Sequence, residues 1–359
     1  MSKKVFKVLF VLINVSILLI YSACKEKQTS LKEQLIKATA ILNLSALKPA
    51  FDSSVSLQYI QPFAIDDEEN VYFADPQNHR VLKFDRQGNF IRQIGEVGQG
   101  ADGVYYPGDI YVKDGELYIL DNGGRSIKIY DTDGRFISWI EFKNSYCSDS
   151  LIEENGDIYL NMRYNDKENY NNQNLISIFS RNGEYKRSFG NVLQSKRFYP
   201  FTEFNSSYLS YNEGKLYGAF KYYPIVFCYN LSDGKKLFYR DLKDDGIEEI
   251  DSTFNYGLEV GVDLPDNLKM EKGFKGAIYI HGIAVAPDGN LYIANTISFD
   301  GKRSTIICID SSGRPQRKLR LECLGKEVVS IFQLLVNSGN RRYAVGAISG
   351  KNDYYLIRF

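Results

Sequence analysis

The stretch Asn70-VYFADPQNHRVLKFDRQGN-Phe90 decides how the chain is read. Val71 to Ala74 and Val81 to Phe84 are short runs of apolar, β-favouring residues. Each ends in a cluster of Asp, Asn, Pro or Gly, the chemistry of tight turns between antiparallel strands. The phrase around Tyr72 then returns. A polar turn, an apolar residue and a tyrosine recur in "DGELYIL" (Tyr118), "NGDIYLN" (Tyr159), "EGKLYGA" (Tyr217), "DGNLYIA" (Tyr292) and, more loosely, "GNRRYAV" (Tyr343). Each copy follows an apolar strand, such as "PFAID", "DIYV" or "GIAVA". After each of the first five comes a second alternating pair about a glycine turn, at Gly88, Gly134, Gly183, Gly234 and Gly313.

Four short antiparallel strands, repeated as a unit six times, predict an all-β chain folded as a six-bladed β-propeller of four-stranded blades. Composition agrees, with 27 Tyr and 22 Phe against a single Trp in 359 residues. The sixth unit stops at "YYLIRF", one strand short. An alternating segment, Ser54 to Ile60 ("SVSLQYI"), stands unpaired before the first unit. An N-terminal strand that completes the last blade would close the ring and remove two sheet edges. The domain boundaries expected on this basis are 1–24, 25–53 and 54–359. The middle segment, with its mildly amphipathic "LKEQLIKATAIL", reads as a tether.

The N-terminus reads as an address. Lys3, Lys4 and Lys7 precede an apolar run from Val8 to Ile20, shorter than a membrane span and suited to a signal-peptide core. It ends in "YSAC", which resembles the bacterial lipobox, with Tyr21 where leucine is usual. That resemblance implies diacylation at Cys24, a soluble domain held on the membrane by its lipid, and, because Lys25 follows the cysteine, sorting to the outer membrane of a Gram-negative envelope.

"ADPQNHRVLKFDRQGNF" resembles the NHL repeat, with Asp75, Asn78, His79 and Arg80 at the matching places. "GEVGQGADGVYYPGDI" resembles the Gly-rich connector of the same family. The match is sharp over residues 62–142, and the remaining units keep only the strand pattern. The whole chain looks like the six-bladed propeller lipoproteins of Gram-negative bacteria, which implies a fold and a compartment but little chemistry. His79 is expected to be structural, in a corner where Asp75 and Arg80 pair.

Function must therefore be sought in loops. A four-stranded meander puts the first-to-second and third-to-fourth turns on one face, and these are all tight. The second-to-third turns and the connectors open on the other face, and they include every long loop. Their aromatic content makes Tyr105, Tyr106, Tyr164, Tyr199, Tyr222 and Tyr256 candidate contacts for a glycan, a peptide or a protein partner. His281, at the start of an innermost strand ("YIHGIAVAP"), is the remaining candidate.

No catalyst is legible. Two histidines cannot make a three-histidine zinc site, and the five cysteines have no metal-ligand spacing. "NDKENYNN" lacks the order of a calcium loop, and neither a nucleophile elbow nor a phosphate loop is present. No cofactor is called for. Lys+Arg and Asp+Glu balance at 44 each, so bulk charge gives no reason to expect nucleic acid. The resulting expectation is a binding or scaffold propeller on the cell envelope. The alternative is a divalent-metal-dependent lyase or lactonase, as found among related six-bladed propellers. Cys228 and Cys308, at equivalent places in third strands, are expected to be buried free thiols, while Cys147 and Cys323 lie near connectors.

Overall fold

The computed structural model describes residues 31–47, 62–142, 146–163, 174–195, 205–221, 223–242, 280–296, 304–337, 340–351 and 353–359, with short strands at 259–260, 262–263 and 274–275. It is a six-bladed β-propeller. Blade 1 comprises Phe63–Ile65, Val71–Asp75, Arg80–Phe84 and Phe90–Ile94. Blade 2 comprises Pro107–Lys113, Glu116–Asp121, Ser126–Asp131 and Phe136–Glu141. Blade 3 comprises Tyr146–Glu154, Asp157–Arg163, Asn174–Ser180 and Tyr185–Asn191, and blade 4 comprises Ser207–Asn212, Lys215–Phe220, Ile225–Asn230 and Lys236–Asp241. Blade 5 comprises Ile280–Val285, Leu291–Thr296, Ser304–Ile309 and Pro315–Cys323. Blade 6 has Lys326–Val336, Arg342–Ile348 and Tyr354–Arg358.

The repeated phrase owes its persistence to packing. Tyr72, Tyr118, Tyr159, Tyr217, Tyr292 and Tyr343 all lie buried in second strands. In three of them the hydroxyl reaches a carboxylate at the tight-turn rim: Tyr72 to Asp66 at 3.0 Å, Tyr118 to Glu116 at 2.7 Å and Tyr343 to Glu69 at 2.5 Å. In these three a ring fills the space between blades while its polar end stays satisfied, whereas the Tyr217 hydroxyl is buried with no hydrogen-bond partner among the described residues. The third-to-fourth turns share a second device. In blade 1 the Asp85 carboxylate accepts the Gln87 and Asn89 N–H groups at 2.9 and 2.8 Å, and Gly88 supplies the left-handed residue at φ 86°. The counterparts Gly134, Gly183, Gly234 and Gly313 are also at positive φ.

An N-terminal strand closes the ring, but it is Glu33–Asn43. Thr39↔Arg358 through Asn43↔Tyr355 pair antiparallel with the third strand of blade 6. The earlier half, Glu33↔Lys318 through Ala38↔Cys323, pairs in parallel with the outermost strand of blade 5. The segment expected to be a tether thus carries the clasp, and Ser54 to Ile60 lies outside the described residues. Lys, Glu, Gln and Leu favour a helix locally. Two open sheet edges outweigh that preference, because a strand here satisfies both. Leu42, Leu44 and Leu47 anchor the clasp in a cluster with Phe63, Val71 and Phe84 of blade 1 and Tyr343, Val345 and Leu356 of blade 6.

Side-chain hydrogen bonds to backbone also tie neighbouring blades. Asp109 accepts the Leu151 N–H at 3.1 Å. Ser150, Ser210 and Ser304 accept those of Leu209, Val285 and Ile331, each at 3.0 Å. Gln333 clips both backbone groups of Phe63, accepting its N–H at 2.9 Å and donating to its carbonyl at 2.8 Å. Between blades 1 and 2 Lys83 Nζ donates to the Thr132 carbonyl at 2.9 Å, so all six blade junctions carry a side-chain tie to backbone.

Candidate functional site

The corner of the opening stretch resolves as expected of a structural element. Asp75 and Arg80 form a buried ion pair at 3.0 Å, and Asn78 donates to the same carboxylate at 2.9 Å. His79 takes the left-handed conformation at φ 56° that ends the corner. Its ring lies parallel to that of Tyr105, with centroids 4.7 Å apart, and Nδ1 meets the Tyr105 carbonyl. His79 therefore pins the connector into blade 2. Asp121, fully buried, holds the same connector from the other side by accepting the Tyr105 and Tyr106 N–H groups at 3.1 and 2.7 Å and that of Gly124 at 3.2 Å. Two corners thus fix the backbone that presents Tyr105 and Tyr106, whose side chains remain exposed.

Residues of the first strands of all six blades line a central cavity of about 690 Å³, within the range of small-molecule sites. At its connector-face end stand Gln77 of blade 1, Tyr106 and Asn122 of blade 2, and Tyr208 and Lys221 of blade 4. Gly108 lets Asn122 fold over the rim, since a Cβ there would meet its Nδ2 at 2.0 Å. The Asn122 Oδ1 atom is shielded from solvent and has no hydrogen-bond partner among the described residues. Lys221 Nζ lies 4.5 Å from the centroid of the Tyr208 ring. Deeper in the channel, burial, with Glu153 nearby, holds the Tyr111 phenol well above its ordinary value.

His281 sits where the sequence put it, second in the first strand of blade 5, at a register shift between Ile280 and Gly282. Burial, and then the Lys221 ammonium, pull its imidazole down to about 4, so it is neutral at pH 7. The Ile280 N–H donates to the Lys221 carbonyl at 3.2 Å, which ties the two segments together. The cavity wall takes in Gly282 to Val285 but not His281 itself. Tyr164, Tyr199, Tyr222, Tyr256 and Cys24 lie outside the described residues. Lys221, Asn122, Gln77 and Tyr208 were not among the expected contacts. Their signal was positional, since Gln77, Asn122 and Lys221 fall at second-to-third corners and Tyr208 begins a first strand.

Cys228, Cys308 and Cys323 are buried free thiols, and burial raises all three, Cys228 to about 12. The side chain of Cys147 lies outside the described residues. Among the described residues no group of three His, Cys, Asp or Glu side chains is placed to hold a metal ion.

Fold and cavity together define a six-bladed β-propeller with a polar, aromatic mouth at one end of its channel. Residues 51–259 match the DUF5128 family, described as a 6-bladed beta-propeller, and the chain belongs to that family. Among solved structures it resembles a putative exported protein of Bacteroides fragilis, with a TM-score of 0.53 and 12% identity over 91% of this chain and 99% of that one. It also resembles a DUF4221-family member from Bacteroides vulgatus, with a TM-score of 0.52 and 11% identity over 83% and 91%. At such identities the likeness concerns the fold alone. A curated relative, Protein brain tumor of Drosophila melanogaster, is 29% identical over 85 residues, which is 22% of this chain and 8% of that protein.

Proposed function

We propose that the chain is an NHL-like binding or scaffold propeller, tethered through lipid on Cys24 to the outer membrane. It takes a glycan, peptide or protein partner at the connector-face mouth of its channel. The observation that carries this reading is the cavity itself. A channel of about 690 Å³ gathers Gln77, Tyr106, Asn122, Tyr208 and Lys221 at one end, with Tyr106 on backbone fixed by the two buried corners. Rings with polar tips and amides suit a ligand that is part apolar face and part hydroxyl or amide.

The test compares the two faces. Tyr105→Ala and Tyr106→Ala, together with Tyr199→Ala and Tyr222→Ala, should weaken capture on glycan and peptide arrays without lowering the melting temperature. Glu68→Ala and Asp133→Ala, in the tight turns, should leave capture intact. Equal loss from both faces, or loss only where the melting temperature falls, would reduce the aromatic residues to packing. For the tether, Cys24→Ala should abolish metabolic labelling with palmitate, and persistent labelling would refute it.

A further inference from the structure

We infer that the rim formed by blade 5 and the clasp docks on a phospholipid bilayer, with Leu35 and Leu324 in the headgroup layer. The inference rests on the lipid tether at Cys24 proposed above and adds the orientation in which that tether holds the ring. Leu31, ahead of the clasp, already packs against the core cluster shared by blades 3, 4 and 5. From Glu33 to Ala38 the chain then runs in parallel along the outermost strand of blade 5. Cys24 stands seven residues before Leu31, and seven extended residues span at most roughly 25 Å. A globule of this length is roughly 50 Å across. Acyl chains on Cys24 therefore keep the rim of blade 5 beside the bilayer, whereas nothing holds blade 2, on the opposite side of the ring, close to it.

The rim has a surface suited to that contact. Leu35 and Leu324 are each 57% exposed. The register brings them near each other, since Leu35 lies across from Arg320, and Ala38 across from Cys323, the residue before Leu324. About 10 Å of extended strand separates the two positions. Exposed apolar side chains alone would not choose this rim, because the outermost strands of blades 1 to 4 show Ile91, Ile137, Tyr185 and Leu237. The tether makes the choice. Charge on the rim does not oppose it. Arg320 engages Glu33 at 3.1 Å and also Glu327, and Lys37 stands across the register from Glu322. Lys32 and Lys326, close in sequence to the two leucines, are exposed, and lysine stems can lie along apolar surface while their ammonium groups end among phosphates. Acyl chains joined by such a patch hold a protein more firmly than lipid alone. Held by its rim, the ring carries its channel along the membrane plane, and the mouth stays open to the side.

Fluorescence quenching by brominated acyl chains tests this, with the full-length lipidated protein in vesicles of phosphatidylethanolamine and phosphatidylglycerol. Trp139, the single tryptophan, lies in the outermost strand of blade 2 and serves as an internal control. Leu35→Trp and Leu324→Trp should each add emission that brominated lipid cuts by about half or more, as expected of a ring buried roughly 5–10 Å into the interface. Trp139 in the wild type, and the added ring of Ile137→Trp on the same strand, should keep their emission. Two positions on the rim keep the test decisive where one variant fails to fold. Similar quenching at Leu35 and Ile137, or none at either leucine position, overturns the docking inference. The tether stands without it if palmitate labels the wild type and not Cys24→Ala. A wild-type protein that takes up no palmitate brings down tether and rim together.

Discussion

Removing the clasp should unmake the ring. A chain beginning at Leu31 keeps every pairing of Glu33–Asn43, whereas one beginning at Lys48 loses both the parallel register with blade 5 and the antiparallel register with blade 6. It also loses Leu42, Leu44 and Leu47 from the cluster between blades 6 and 1. Burying a leucine contributes about 1.5–3 kcal/mol, so three approach the roughly 5–15 kcal/mol that a whole domain has in hand. A truncation also returns the entropy of ordering the segment, about 1–2 kcal/mol per residue, so its net effect mixes two terms. Leu44→Ala isolates one of them. Leu44 is fully buried, and its truncation should cost about 2–5 kcal/mol and lower Tm by roughly 4–10 °C. Urea titration followed by circular dichroism measures the first quantity, and size-exclusion chromatography follows the aggregation expected of the shorter chain. A monomeric Lys48-start chain that unfolds cooperatively at the wild-type midpoint would refute the clasp. So would a Leu44→Ala cost below about 0.5 kcal/mol.

Three further expectations follow from particular contacts. Asp121→Ala strands three backbone N–H groups, of Tyr105, Tyr106 and Gly124, and should cost about 2–4 kcal/mol. It should also open the Gly95–Tyr106 connector to limited proteolysis. Gln333→Ala removes the clip on Phe63 and should cost about 1–3 kcal/mol, read as a lowered denaturant midpoint at unchanged m-value. Glu69 is held below its ordinary range by the Tyr343 hydroxyl first, and by Arg341 and Arg358, against an opposing desolvation. A carboxyl depressed in the folded state stabilises fully above its unfolded value and loses that contribution as pH falls through the folded one. The stability advantage of wild type over Glu69→Gln should therefore be constant near neutrality and shrink below about pH 4.3. An advantage that grows on acidification would contradict the assignment.

The blades were legible because each repeats the same solution: an apolar second strand, a tyrosine that fills the gap to its neighbour, and a glycine turn at positive φ. Local chemistry alone specifies those features. The clasp was misplaced because its sequence favours a helix, and only two open edges near the far end of the chain, at Lys318–Cys323 and Tyr355–Arg358, make it a strand. Ser54 to Ile60 alternates well, but alternation does not identify a partner. At the site, Tyr105 and Tyr106 could be named from the connector's composition. Lys221 and Asn122 could not, because a lysine or asparagine at a corner looks like any solvated turn residue until the ring places it beside a cavity. The tie between His79 and Tyr105 was hidden for the same reason. The Asp75–Arg80 pair, whose members are close in sequence, was not.

The division of labour along the channel explains why ligand chemistry should collect at one end. Asp109, Ser150, Ser210 and Gln333 all line the cavity, and all four spend a side-chain acceptor on the backbone of a neighbouring blade. Changing any of them to suit a ligand would loosen a junction, so the middle of the wall has little freedom to vary. The corner residues Gln77 and Asn122 lie outside the first strands. They can change with little cost to closure. A propeller built this way can alter what it binds by changing corners and connectors alone. Exchanging Gln77 should therefore change ligand capture with little change in the unfolding midpoint, whereas exchanging Gln333 should move the midpoint. Coupled loss of stability and capture from Gln77→Ala would mean that mouth and ring are one structure, and that the channel is built for closure rather than for a ligand.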